Sequence, residues 1–270
     1  YRSAYKLLIS RNQIFYPGTY QLKLEMSSAD ALSAIANPKN RISNRVTIKE
    51  GWRIHRVLSE LSSKTGLAMS ELESAAGNLT ELGIPATEVS AEGWLFPATY
   101  EFDPGTTAKA VLSQLVSRMK QELDHYGVSL SNAHRVLTLA ALVQAEARQQ
   151  QDFYKVSRVF LNRIDAGMRL QSDATVSYGV NGKTVSTSAA DRANANGYNT
   201  YLHDGLPIGP ISAPGSTAID AALHPAAGKW LYFCAVNLKT GETVFSNTYA
   251  EHAIAVAQWH KWMLENPGYE

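Results

Sequence analysis

His134-Arg-Val-Leu-Thr-Leu-Ala-Ala-Leu-Val-Gln-Ala-Glu-Ala-Arg148 carries an acid on the apolar side of a helix. Counting back from Glu146 by three, four and seven positions gives Val143, Leu142 and Leu139, so the carboxyl lies along the hydrocarbon stripe. Ser131 or Asn132 can cap this helix, and the pattern carries it to about Gln150. Apolar walls favour the neutral form of a carboxyl and raise its pKa. A general acid that works near neutral pH needs that property. The same position also suits a glutamate that ends the stripe, paired with an arginine or exposed to water. Spacing alone leaves these alternatives even.

Around this helix the chain reads as an α+β protein. Upstream, Pro17-Gly18 marks a turn leading into a strand, Ser27 or Ser28 caps a helix from Ala29 to Asn37, and Arg45-Val-Thr-Ile-Lys49 alternates as a strand. Together they form a small β-α-β unit. Amphipathic helices follow near Ile54–Thr65 and Ser70–Gly77, with Gly66 and Gly77 as stops. Glu92-Gly-Trp-Leu-Phe-Pro97 opens a second region, with helices expected from Ala108 to about His125 and from Tyr154 to Ala166. Between Met168 and Pro214 the chain is rich in Gly, Asn, Ser, Thr, Asp and Tyr, with little periodicity. Such a stretch within a compact domain is usually functional, and its tyrosines favour an ordered binding surface. A helix at Thr217–Leu223, strands at Trp230–Val236 and Glu242–Phe245, and a closing helix from Ala250 complete the chain.

Composition narrows the function. Hydrophobic residues make up 45% and charged residues 18% of the 270, an ordinary globular balance. A formal net charge of +1 argues against nucleic acid, which calls for a basic excess. Cys234 is the only cysteine and sits in an apolar strand, so it reads as an inert thiol, with no disulfide or thiolate cluster. The seven histidines show no ligand spacing, so neither metal nor other cofactor is expected; His224 and His252 could approach the site, but a structural role is the better reading. No apolar run reaches the roughly eighteen residues that a spanning helix needs. A start at Tyr1 reads as a fragment, so a missing leader or anchor proves nothing.

Several blocks carry a resemblance. Leu139-Ala-Ala-Leu-Val-Gln-Ala-Glu-Ala147, Val159-Phe-Leu-Asn-Arg-Ile164 and Gly167-Met-Arg-Leu-Gln-Ser-Asp-Ala-Thr-Val176 occur in order. Tyr198-Asn-Thr-Tyr201, Gly205-Leu-Pro-Ile-Gly-Pro-Ile211, Ala213-Pro-Gly215 and His224-Pro225 follow, while Pro17-Gly-Thr-Tyr20 and Glu92-Gly-Trp-Leu-Phe-Pro97 precede them. Over nearly its whole length the chain resembles the YceG-like endolytic murein transglycosylases. That family usually carries Val-Glu-x-Glu on the helix; the first acid is Gln144 here and the second is Glu146. Ala174 and Ile208 stand where the family commonly has proline, a change of loop stiffness rather than chemistry.

The resemblance implies cleavage of the bond between N-acetylmuramic acid and N-acetylglucosamine within glycan strands. Glu146 would protonate the leaving oxygen, then act as base towards the muramic C6 hydroxyl, which closes a 1,6-anhydro ring. One carboxyl suffices, unlike the usual glycosidase pair. Gln171, Asp173, Tyr198, Asn199 and Thr200 are expected as the polar, substrate-binding lining, with Asn162-Arg163 buttressing the site. A turn is the ordinary use of Asp173, and equally of Tyr198–Thr200. Residues 1–88 are expected as a LysM-like module with a helical connector, and 89–270 as the catalytic domain. The family further implies one membrane anchor upstream of this chain, an extracytoplasmic location, peptidoglycan strands as partner and peptidoglycan synthases as possible company. Two rivals remain: a hydrolytic muramidase in which Asp173 activates water, and a non-catalytic peptidoglycan-binding or division-scaffold protein.

Overall fold

The computed structural model describes residues 15–182 and 187–268 and shows a mixed α+β chain. Strands β1 (Thr19–Tyr20) and β2 (Arg41–Ile42) pair antiparallel around α1 (Ser28–Ala36), whose Ser27 cap accepts the Asp30 N–H. Strand β3 (Asn44–Thr47) does not close that unit. It pairs antiparallel with β4 (Thr99–Phe102), placing Val46 opposite Tyr100. The β4 strand was not evident from the sequence, because its alternation is only four residues long. Val46, Tyr100 and Phe102 nevertheless point into one core, where the two rings stack 5.9 Å apart. That core runs unbroken from Val46 to Ala221, across residue 88. Residues 1–14 of the expected LysM-like module lie outside the described residues.

Helices α2 (Ile54–Thr65), α3 (Met69–Gly77) and α4 (Ala108–His125) fall where periodicity places them. Helix α5 (Leu130–Glu146) is the axis of the larger part, with α6 (Phe153–Asp165) and α9 (Ser216–Leu223) packed on it. Residues Leu139 to Val143 are all buried, so this stretch of the helix is enclosed on every side rather than along one stripe, while Ala145 in the last turn is exposed. Replacing Leu142 by Ala would cost about 2–5 kcal/mol as a cavity in such packing. The helix stops at Glu146, because Ala147 turns to an extended conformation, and does not reach Gln150.

The stretch from Met168 to Pro214 is more ordered than its composition suggests. It contains α7 (Asp173–Gly179) and α8 (Ala189–Arg192), both too short to show a helical period. Antiparallel strands β5 (Tyr232–Asn237) and β6 (Glu242–Ser246) then form a hairpin on which α10 (Tyr249–Glu265) packs. Cys234 lies on β5, where burial pushes its thiol pKa up and keeps it unreactive.

Glu92 locks the two parts together. Its carboxyl is 1% exposed and accepts the Ile54 N–H at 2.9 and 3.1 Å, capping α2 in place of a local side chain. Gly93 must follow it: φ is +79°, and a Cβ there would meet the Pro210 ring at 2.4 Å. Burial pushes the Glu92 pKa from 4.5 up to about 7, against hydrogen bonds from Ile54, Tyr178 and Gly93. The fold thus keeps a proton that the unfolded chain releases near pH 4.5. Stability from this group is full below pH 4.5 and is lost as pH rises through about 7. Denaturant titrations should show the native chain losing up to roughly 3 kcal/mol relative to Glu92→Gln between those limits. A native chain that gains on the variant as pH rises would contradict this.

Candidate active site

Helix α5 delivers Glu146 to the wall of a cavity of about 420 Å³. The floor is apolar, from Val159, Phe160 and Leu170 to Leu231 and Phe233; Tyr201 and Tyr232 add aromatic faces. Arg163, Gln171, Ser172, Asp173 and His252 supply the other polar groups beside Glu146. This mixture of apolar walls and few directed polar atoms suits a sugar ring.

The Glu146 carboxyl is enclosed by protein except where it meets the cavity. Burial raises its pKa most, and the nearby Asp173 charge raises it further. The Ser172 hydroxyl donates to Oε1 at 2.5 Å, and this bond, the Ala174 N–H and Arg148 all pull the other way. Its place at the carbonyl end of α5 adds to the upward shift, since a helix C-terminus disfavours negative charge. The result is a carboxyl biased toward holding its proton yet still able to release it.

Ser172 owes its position to Thr200. The Thr200 carbonyl accepts the Gln171 N–H at 3.1 Å, and its hydroxyl accepts the Ser172 N–H at 3.1 Å. Thr175 meets the same hydroxyl at 2.9 Å. These bonds hold Gln171 at φ +54°, a left-handed conformation that a non-glycine residue adopts at a cost. The corner Gln171-Ser172-Asp173 is thereby bent so that Ser172 sits just ahead of α7 and faces Glu146.

The structure sorts the expected lining into two layers. Gln171 and Asp173 lie on the cavity wall with Glu146. Asp173 is the first residue of α7 rather than part of a free turn; it accepts from Thr187 at 2.6 Å and from Tyr201 at 3.0 Å, with Arg192 at 3.8 Å. Tyr198, Asn199 and Thr200 stand behind the wall. Asn199 and Thr200 are buried; the Asn199 amide donates to the Arg192 and Asn194 carbonyls, and its oxygen accepts the Tyr201 N–H. Tyr198 packs on Tyr178, with ring centroids 4.7 Å apart, and Tyr178 bonds to Glu92. Their polar atoms are consumed in shaping the loop that presents Tyr201.

Arg163 lines the cavity and Asn162 stands beside it on α6. Asn162 donates to the Gly228 and Trp230 carbonyls, while Arg163 donates to those of Leu231, Arg169 and Leu170. His224 pairs with Asp220 away from the cavity. His252 does not keep to a purely structural place: it lines the cavity, stacked on Tyr232 at 5.1 Å, with a buried and unpaired Nδ1. Burial, and then Arg163, lower its pKa, so it is a neutral hydrogen-bonding group there. Sequence reasoning missed Ser172, which had a readable signal as an N-cap ahead of Asp173-Ala-Thr-Val-Ser-Tyr178, and it preferred a structural role for His252 over an approach to the site. Among the described residues no group of three or more His, Cys, Asp or Glu is placed to hold a metal ion.

Comparison with known proteins gives the family. The endolytic murein transglycosylase of Bacillus subtilis (strain 168) is 28% identical over 258 residues, covering 88% of this chain and 71% of that protein. The endolytic murein transglycosylase of Streptococcus pneumoniae serotype 2 (strain D39) is 26% identical over 277 residues, covering 89% of this chain and 50% of that protein. The chain therefore spans from half to about seven-tenths of these relatives. A crystal structure of a yceG-like protein from Listeria monocytogenes superposes with a TM-score of 0.69 at 26% identity, covering 94% of this chain and 89% of that one. The sequence model of the YceG-like family matches residues 2–258, and the chain belongs to that family.

Proposed function

We propose that this chain is an endolytic lytic transglycosylase of peptidoglycan, with Glu146 as its catalytic carboxyl. The observation that carries this reading is a single carboxyl with a raised pKa opening onto a sugar-sized cavity. The relatives' activity supports the substrate. Glu146 protonates the oxygen that leaves when the muramic–glucosamine bond breaks, then takes the proton of the muramic C6 hydroxyl as that oxygen closes on C1. The tethered hydroxyl has a high effective concentration once the ring is oriented, so no second base is required. Gln171, Tyr201 and His252 are placed to orient sugar hydroxyls and acetamides. Tyr198, Asn199 and Thr200 contribute to binding only by holding that wall. Such a domain acts in the cell wall, outside the cytoplasmic membrane. The anchor upstream and the encounter with synthases are part of this proposal and rest on family resemblance. Among the described residues no helix is long and apolar enough to cross a membrane.

The muramidase alternative has one observation in its favour: Asp173 lies on the same wall as Glu146. Against it, Asp173 Oδ1 already receives the Thr187 and Tyr201 hydroxyls, which compete at that oxygen with any water it would activate.

Three outcomes test this assignment. Glu146→Gln should fold normally and bind sacculi, yet release fragments at least about 10³-fold more slowly, near the upper end of general acid–base contributions; substantial residual release sinks it. The second reads pH. The acid form starts the reaction, so kcat/KM falls as pH rises through the Glu146 pKa. Ser172→Ala removes a bond to the charged form and should move that alkaline limb to higher pH. Asp173→Asn removes a like charge and should move it lower. Shifts of the same sign in both variants would show that another group controls the limb. Third, exhaustive chelation with EDTA should leave the rate unchanged; a loss rescued by one divalent ion would mean a metal takes part.

A further inference from the structure

We propose that a second cavity, on the far side of the Glu146 turn, receives carboxylates carried by the muramic acid residues of the glycan strand. This rests on the reading of Glu146 given above and adds the part of the substrate that a sugar pocket cannot recognise. The cavity, about 1060 Å³, is lined by Arg53, His55, Arg56, Gln144, Ala145 and Ala174, among others. Ala145 precedes Glu146 and Ala174 follows Asp173, so the two cavities back onto the same junction of α5 and α7. A strand cut in its interior must continue past Glu146 in both directions, and on this inference one of them runs to this cavity.

Its lining has one sign of charge. Arg53, His55 and Arg56 all line it, and among the described residues no Asp or Glu does. With a net charge of only +1 over the whole chain, this concentration is local. Arg53 is held in place: it donates to the Gly182 carbonyl at 2.8 Å and to the Ser177 hydroxyl at 3.1 Å, and lies 5.3 Å from the Tyr178 ring centre. Arg56 is exposed, rests 5.0 Å over the Trp52 ring and makes no ion pair with a described residue. Gln144 is wall rather than ligand, since its oxygen accepts the Gly215 N–H at 3.0 Å.

Guanidinium groups fit carboxylates through paired, charge-assisted hydrogen bonds. Glucosamine residues are neutral and offer nothing to them. Muramic acid differs by its 3-O-lactyl group, which ends in a carboxylate when peptide-free and otherwise carries a stem peptide with carboxylates of its own. A basic cavity beside the cleaving acid therefore reads muramic substituents, and places the strand in register as it does so.

The test compares four glycan-strand preparations with the full chain: peptide-bearing strands, strands stripped by an amidase, and each of these after carbodiimide coupling to methylamine, which neutralises the carboxylates. Neutralisation should raise KM about tenfold with kcat changed less than about twofold, as for an interaction made equally in ground and transition states. Arg56→Ala should reproduce that rise on charged strands and erase most of the difference between charged and neutral ones. Arg56→Lys should recover part of it by charge alone. Arg56 is exposed on its helix, so folding should be intact, which circular dichroism checks. If the charge effect persists on stripped strands the lactyl carboxylate is the anion; if only peptide-bearing strands show it, the stem peptide is. Equal kcat/KM on charged and neutral strands overturns the inference while leaving the cleavage assignment standing. So does an Arg56→Ala loss that is the same on both. Absence of Glu146-dependent cleavage of every strand would take down both.

Discussion

The hydrogen bond between Ser172 and Glu146 joins the two structural devices on which the site depends. One is a helix buried in hydrocarbon as far as Val143, so that the acid just beyond is desolvated on its inner side. The other is the corner at Gln171–Asp173, bent into a strained conformation and pinned by Thr200. Without the first, Glu146 would be an ordinary ionised acid; without the second, a buried acid would lack a partner to hold its direction. A buried carboxyl with no hydrogen bond costs several kcal/mol, so the serine also makes the burial tolerable.

Glu92 shows why a raised pKa alone does not locate catalysis. Burial shifts it to about 7, as it also shifts Glu146 upward. Yet Glu92 faces no cavity: its oxygens close the start of α2 and meet Tyr178, whose ring packs on Tyr198 behind the site wall. Its proton is a structural feature that ties the front part of the chain to the loop presenting Tyr201. Among the described residues, Glu146 combines a carboxyl of raised pKa with space for a reacting atom.

Much of this was legible in the sequence wherever a period could express itself. The long helices were found within a few residues, and Glu146 stood out because a charged residue interrupted a hydrocarbon pattern. What stayed hidden lacked a period or depended on distant partners. Strand β4 has four residues and pairs with a strand more than fifty positions earlier; α7 is a single burst of seven. Asn199 and Thr200 were expected as substrate-binding lining, but their composition could not say whether their polar atoms faced substrate or the protein itself. They face the protein and so shape the wall. His252 reaches the cavity only because α10 packs back on β5, which no local signal announces.

The central claim is that one carboxyl does the chemistry without an attacking water, and the fate of solvent oxygen reads this directly. Digestion of sacculi in ¹⁸O-labelled water should give muramic ends that carry no label, resist borohydride and lie about 20 mass units below reduced hydrolytic ends, as loss of water and absence of reduction require. Reducible muramic ends bearing ¹⁸O as the main product would contradict the account, and would make Asp173 the base that activates water.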